Sequence, residues 1–167
     1  MASSRRYATF YLNSIFFGIQ VEKVQEFLEY VEITPVPLSL PVLPGIINLR
    51  GQILTTIDLK ARMNLEAGEF GGTPMMMVIR TSEGPMNLLV DKIGGVVDVD
   101  PELLEKPTET LKAGVRAVTS HVCKLEKQLL LVLDTEKIIQ IAVAAVPAVE
   151  VATEAAARQP MGGVLAT

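Results

Sequence analysis

The sequence spells one pattern twice, and that repetition constrains the fold more than any single residue. Val21-Glu22-Lys23-Val24 returns as Val90-Asp91-Lys92-Ile93, each time behind a β-hairpin pattern. Gln52-Ile53-Leu54-Thr55-Thr56-Ile57-Asp58 returns as Gln128-Leu129-Leu130-Leu131-Val132-Leu133-Asp134. The first pair is 69 positions apart (21 to 90) and the second 76 (58 to 134), so the second copy carries an insertion of seven. Each copy spans roughly 65 to 70 residues, a size at which a lone β unit buries too little apolar surface to be stable. Two small antiparallel barrels packed face to face, sharing an apolar layer, solve that problem. Such a chain, with two similar faces, suits a connector better than a catalyst.

Local patterns fill in the unit. Tyr7 to Leu12 puts Ala8, Phe10 and Leu12 on one strand face, Asn13-Ser14 supplies a turn, and Ile15 to Ile19 returns as the partner. Val21 to Tyr30 opens as a helical turn and runs out extended through Glu26-Phe27-Leu28, where periodicity does not separate strand from helix. Four prolines between Thr34 and Pro44 predict a stiff connector outside any sheet centre. Gly45 to Arg50 and Ile53 to Ile57 read as strands joined at Gly51-Gln52. Asp58 then caps a short helix over 59–65, and the glycines of 66–73 mark a loop between the copies. The second copy brings strands over 75–80 and 86–90, and a helix start at Asp100-Pro101-Glu102. Leu129 to Leu133 reads as a strand buried on both faces, and Asp134 caps a helix from Glu136. The expected organisation is one domain, 1–141, of two β lobes at about 7–66 and 73–140, with strands free to exchange between them. The Ala-rich segment 142–167 is expected to be disordered.

Composition removes several function classes. The 167 residues are 49% hydrophobic and 20% charged, which describes a packed globular chain. A net charge of −4 and 5% aromatics furnish neither an electrostatic footprint nor stacking platforms for nucleic acid, which weighs against an OB-like reading of the small barrels. The single cysteine rules out an internal disulfide. No stretch resembles a secretory leader or a bilayer span, and a cytoplasmic location is expected.

Catalytic chemistry is thinly represented. Gly-rich phosphate loops, nucleophile elbows and metal-spaced Cys/His clusters are missing from the sequence. His121 and Cys123, each the only residue of its kind, lie two apart on one possible strand face. They lack a third orienting group, and a structural role outweighs a nucleophile–base pair. Two features point to binding instead. Asn48-Leu49-Arg50-Gly51-Gln52 places a guanidinium at a glycine turn, where it offers a fork of donors to a carboxylate. Met75-Met76-Met77 places adaptable thioethers on a strand, so that at least one leaves the core of its own lobe.

The ordered set of Phe17-Gly18-Ile19-Gln20-Val21-x-x-Val24-Gln25-Glu26, Pro44-Gly45-Ile46-Ile47-Asn48-Leu49-Arg50-Gly51 and Ile57-Asp58-Leu59 resembles the CheW family of chemotaxis coupling proteins. Leu89-Val90-Asp91-x-Ile93 and Leu131-Val132-Leu133-Asp134 continue the resemblance, which covers about residues 7 to 140. The resemblance implies two intertwined SH3-like five-stranded barrels and a non-enzymatic adaptor without cofactor or metal. The implied partners are the cytoplasmic tips of methyl-accepting chemoreceptors and the regulatory domain of a CheA-type histidine kinase. An alternative within the family is a chemotaxis-like pathway governing gliding, twitching or development. By resemblance, Val24, Glu26 and Gly45 map to kinase contact. Arg50, Met75, Met76, Asn87 and Val96 map to receptor binding. Asn87 stands where the family usually has glycine.

Overall fold

A computed structural model describes residues 4–37, 40–66 and 72–144. The hairpin pattern at the start becomes β1 (Arg5–Leu12) and β2 (Ile15–Gln20), and the 3-10 turn Val21–Lys23 leads into β3 (Val24–Leu28). After the Pro-rich connector come β4 (Gly45–Leu49), β5 (Gln52–Asp58) and α1 (Leu59–Arg62). The helix ends short of the expected Leu65 because Asn64 turns left-handed, with φ 57°. The second copy supplies β6 (Met75–Thr81), β7 (Gly84–Val90) and β8 (Lys92–Val99). A 3-10 turn at Pro101–Leu103, capped by Asp100, precedes β9 (Leu104–Glu105). Then follow α2 (Ala113–Arg116), β10 (Thr119–Lys124), β11 (Leu129–Leu133) and α3 (Thr135–Ala144). The helix α3 thus carries three residues past 141, and the rest of the Ala-rich segment lies outside the described residues.

These strands form a six-stranded sheet, β8-β1-β2-β11-β10-β9, and a five-stranded sheet, β3-β6-β7-β5-β4. Offsetting the first copy onto the second superimposes the two orders: β8, β1, β2, β11 and β10 correspond to β3, β6, β7, β5 and β4. Each sheet therefore takes its hairpin from one copy and its other strands from the other. A parallel pair makes each join, with Gly18 opposite Val132 in one sheet and Asn87 opposite Thr56 in the other.

Closed five-stranded barrels, which the resemblance implied, are corrected by this topology. The outer strands β8 and β9, and β3 and β4, do not pair with each other, so both sheets stay open. In the five-stranded sheet the connector adds, among the described residues, a single bridge to β4, Thr34 to Ile46. Pro35 and Pro37 lack the N–H groups needed to extend it into a ladder.

The apolar pattern sorts into three clusters. A shared core between the sheets gathers Phe10, Phe17, Ile57, Met77, Leu88 and Leu131, with the Phe10 and Phe17 rings stacked 5.7 Å apart. Behind the six-stranded sheet lies a smaller core of Tyr7, Phe16, Cys123, Leu130 and Val132. Behind the other sheet lie Ile47, Leu54, Met76 and Val78, closed over by Val31 and Ile33 of the connector. Burial of the shared layer stabilises both units at about 25 cal/mol per Å² of apolar area, which neither has enough of alone.

Polar contacts repeat with the copies. Asp58 Oδ1 accepts from the backbone N–H groups of Lys60 (3.0 Å) and Ala61 (3.3 Å), and Asp134 Oδ1 from those of Glu136 (2.9 Å) and Lys137 (3.3 Å). Each hairpin tip also docks on a carboxylate across the seam. The Asn13 N–H donates to Asp91, which pairs with Lys60 Nζ at 2.9 Å, and the Ser82 N–H donates to Glu136. Finally, the buried Arg62 donates from Nε to the Ile138 carbonyl (3.0 Å) and from Nη2 to the Lys137 carbonyl (3.1 Å), fastening α1 to α3. Burial pulls that guanidinium's pKa below its ordinary value.

Candidate partner-binding surface

Arg50 and Gly51 form the two-residue turn between β4 and β5, with φ 50° and 87°. Positive φ at both central positions matches the right-handed twist of the flanking strands, and the Asn48 side chain braces the turn by accepting from the Gly51 N–H at 2.9 Å. The turn therefore sits one residue earlier than the sequence pattern suggested, with Gln52 opening β5. A non-glycine residue held at positive φ costs about 1 kcal/mol. Arg50 accepts that conformation with its side chain 67% exposed and its guanidinium paired with the Glu26 carboxylate.

That pair joins a residue expected at kinase contact, Glu26, to one expected at receptor binding, Arg50. Val24 and Glu26 lie on β3, half-buried, with Val24 packed against the shared core. Gly45 is buried on β4, at the far edge of the same sheet. A Cβ there would lie 2.2 Å from the Thr34 carbonyl oxygen, so its role is to let the connector pass over β4.

The rest of the receptor set is scattered. Met75 is half-buried against the shared core. Met76 is fully buried behind the five-stranded sheet, its Sδ accepting from the Val31 N–H at 3.4 Å. Asn87 is also fully buried and donates from Nδ2 to the Thr56 hydroxyl at 3.1 Å, while its Oδ1 accepts no hydrogen bond from the described residues. Val96 is 49% exposed on β8, at the edge of the other sheet. Arg50 and Val96 are thus presented to solvent, while Met76 and Asn87 shape the core beneath. Sequence reasoning missed three exposed apolar side chains on or beside the five-stranded sheet, Phe27, Tyr30 and Ile53. Ile53 is the most exposed of them, at 57%, and its place just after the Arg50–Gly51 turn was the available signal.

His121 and Cys123 do not assemble a nucleophile. The Cys123 thiol is fully buried in the small core behind the six-stranded sheet, and burial, with Glu105 nearby, pushes its pKa up. His121 is tied through Nδ1 to the Ser120 hydroxyl at 3.2 Å. Among the described residues no cluster of three His, Cys, Asp or Glu side chains could hold a metal, and no helix is long and apolar enough to cross a membrane.

The fold is two intertwined sheets with a twofold repeat, and residues 6–143 match the CheW-like domain. The chain belongs to the CheW-like family. Among its relatives are proteins named Chemotaxis protein CheW from Treponema pallidum and Thermotoga maritima. The first is 28% identical over 138 residues, covering 78% of this chain and 79% of the relative. The second is 28% identical over 123 residues, covering 74% and 80%. The CheW-like fold is also found in the crystal structure of the scaffolding protein TtCheW from Thermoanaerobacter tengcongensis. That structure superimposes with a TM-score of 0.72 at 24% identity, over 83% of this chain and 92% of the other.

Proposed function

We propose that the chain is a non-enzymatic cytoplasmic adaptor that couples the tips of methyl-accepting chemoreceptors to a CheA-type histidine kinase. Membership of the CheW-like family supports the adaptor reading, and the relatives' shared name supports chemotaxis as the pathway. The observation that carries the reading is the Arg50–Glu26 pair. Its guanidinium is 67% exposed on a turn where the cost of positive φ and the gain from the ion pair nearly offset each other, so folding gives no reason for an arginine there and contact does. Val24, Glu26 and the neighbouring Phe27 provide an apolar and acidic edge for the kinase domain. Gly45 belongs with the kinase side, where it lets the connector lie against β4; Arg50 and Val96 provide the exposed positions for receptor, with Met75, Met76 and Asn87 shaping the sheet behind Arg50. Regulation then consists of shifting kinase populations by differential binding, with no bond made or broken in this chain.

The test is co-purification with a receptor cytoplasmic fragment and a histidine kinase, followed by kinase assay in the reconstituted complex. Glu26→Lys is expected to weaken kinase binding and Arg50→Asp to weaken receptor coupling. Failure of the unmodified chain to join either partner would overturn the proposal.

A further inference from the structure

The twofold repeat carries a β-bulge in each copy, at the same place but held in two different ways. Along β8 the pairing with β1 shifts between Ile93 opposite Phe10 and Gly95 opposite Thr9, leaving Gly94 as the extra residue. Along β3 the pairing with β6 shifts between Val24 opposite Ile79 and Glu26 opposite Val78, leaving Gln25. The offset of 69 carries Val24, Gln25, Glu26 and Phe27 onto Ile93, Gly94, Gly95 and Val96. In β8 the glycines make the bulge. Gly95 turns to φ 98°, a Cβ on Gly94 would lie 2.6 Å from Thr9 Oγ1, and that hydroxyl donates to the Gly95 carbonyl at 2.7 Å.

None of these devices exists in β3. Neither Gln25 nor Glu26 is a glycine or adopts positive φ, and Val78 stands where the other sheet has Thr9. Instead Arg80, on β6, donates from Nη1 to the carbonyls of Val24 (2.8 Å) and Glu22 (3.3 Å), immediately ahead of the bulge. Its counterpart by the offset, Tyr11, offers its ring to Lys92 Nζ, 5.8 Å from the centroid.

An extra residue turns every later side chain of a strand to the opposite face. With the bulge, Glu26 and Leu28 stand opposite Val78 and Met76, on the face of the small cluster behind the sheet. Phe27 stands opposite Met77, on the shared-core face, and is 39% exposed there because β3 is an outer strand. Pairing continued from Val24 without a bulge would set Glu26 opposite Met77 and Phe27 opposite Met76. The carboxylate would then leave the face on which Arg50 meets it, and Phe27 would take the place of Leu28.

We propose that Arg80 is a positioning residue for partner binding. By holding the Glu22 and Val24 carbonyls it keeps the Gln25 bulge in place, and the bulge aims Glu26 and Phe27. The consequence for binding rests on β3 being the kinase-contact edge.

The experiment compares the full chain with Arg80→Ala and Arg80→Lys, by NMR and by binding to a histidine kinase. In Arg80→Ala the cross-strand nuclear Overhauser contacts that put Glu26 opposite Val78 are expected to vanish, while those within the six-stranded sheet persist. Kinase affinity should fall about tenfold. Both bonds come from a single nitrogen, so a lysine ammonium on its long stem should restore the contacts and most of the affinity. Persistence of the Glu26–Val78 contacts in Arg80→Ala overturns the proposal, and so does parental kinase affinity once those contacts are gone. Loss of the six-stranded sheet's contacts as well would make the effect global and overturn a local role. Glu26→Lys is the reference: if it leaves kinase binding unchanged, β3 is not the kinase edge, and the NMR contacts alone still decide what Arg80 does.

Discussion

The guanidinium of Arg50 is ion-paired with the Glu26 carboxylate, tying the β4–β5 turn to the opposite outer strand of the five-stranded sheet. Solvent screens a pair with its arginine this exposed, and such pairs contribute about 0–1 kcal/mol. Positive φ at the same residue removes a comparable amount. The two nearly cancel, so stability gives no reason for an arginine at this turn.

A substitution can therefore separate binding from folding. Asparagine tolerates positive φ and, followed by glycine, suits this turn type. Arg50→Asn is expected to keep the unfolding free energy within about 1 kcal/mol of the parent while receptor coupling is lost. Urea denaturation beside the reconstituted kinase assay checks both halves. A variant that couples normally would remove the guanidinium from the interface.

A buried polar pair distinguishes the two sheets. Where the six-stranded sheet has Gly18 and Val132, the five-stranded sheet has Asn87 and Thr56, both fully buried and hydrogen-bonded to each other. Thr56→Val leaves the Asn87 amide with no partner and is expected to destabilise by about 1–3 kcal/mol. A double-mutant cycle with Asn87→Gly, read by thermal or urea unfolding, should show strong non-additivity between the two sites.

The Arg62 clasp carries a larger effect. Its buried guanidinium donates to two carbonyls of α3 from the other copy. Arg62→Ala removes both bonds and the packing of the stem, with an expected loss of about 3 kcal/mol. Arg62→Met, which keeps the stem, should recover part of it. Equal losses in the two variants would assign the whole effect to the hydrogen bonds.

Cys123 sets an alkaline dependence. The folded chain holds the thiol proton more tightly than the unfolded chain, through burial first and Glu105 second. The stabilisation is therefore whole below the thiol's ordinary value of 9.0 and is lost as pH rises from there towards the folded-state value. The unfolding free energy of the parent should fall more steeply above that pH than that of Cys123→Ala. At neutral pH the native thiol should react with a disulfide reagent only at the rate of unfolding.

Much of this was legible because it is local. Asp58 and Asp134 announce their helices by type and position, and the hairpins follow from alternation around Asn13-Ser14 and on either side of the stretch between 80 and 86. The motif matches of the CheW-like family depend on those same short runs. What stayed hidden is non-local. No neighbouring residue signals that Phe16 will lie beside Leu130, so the assignment of hairpins to sheets could not be read from pattern. The same holds for the candidate surface. Arg50 could be placed from its glycine turn, but its pairing with Glu26 needs the sheet's two edges together. The demand for glycine at position 45 comes from Thr34, whose path over β4 only the assembled connector reveals. Met76 and Asn87 read as candidates for contact, and only the fold shows them sealed inside.

The interchange of hairpins has a consequence for how the chain is made. On a ribosome, β1 and β2 emerge before every other strand described, yet the partner on the far side of β2 is β11, the last of those strands. The opening hairpin must stay unmated, its apolar side unsheltered, until the second copy has been made as far as β11. Folding should accordingly be late and concerted, and slow for its length. A polypeptide cut between α1 and β6 should yield two fragments that are each incompetent alone and regain native structure only when mixed.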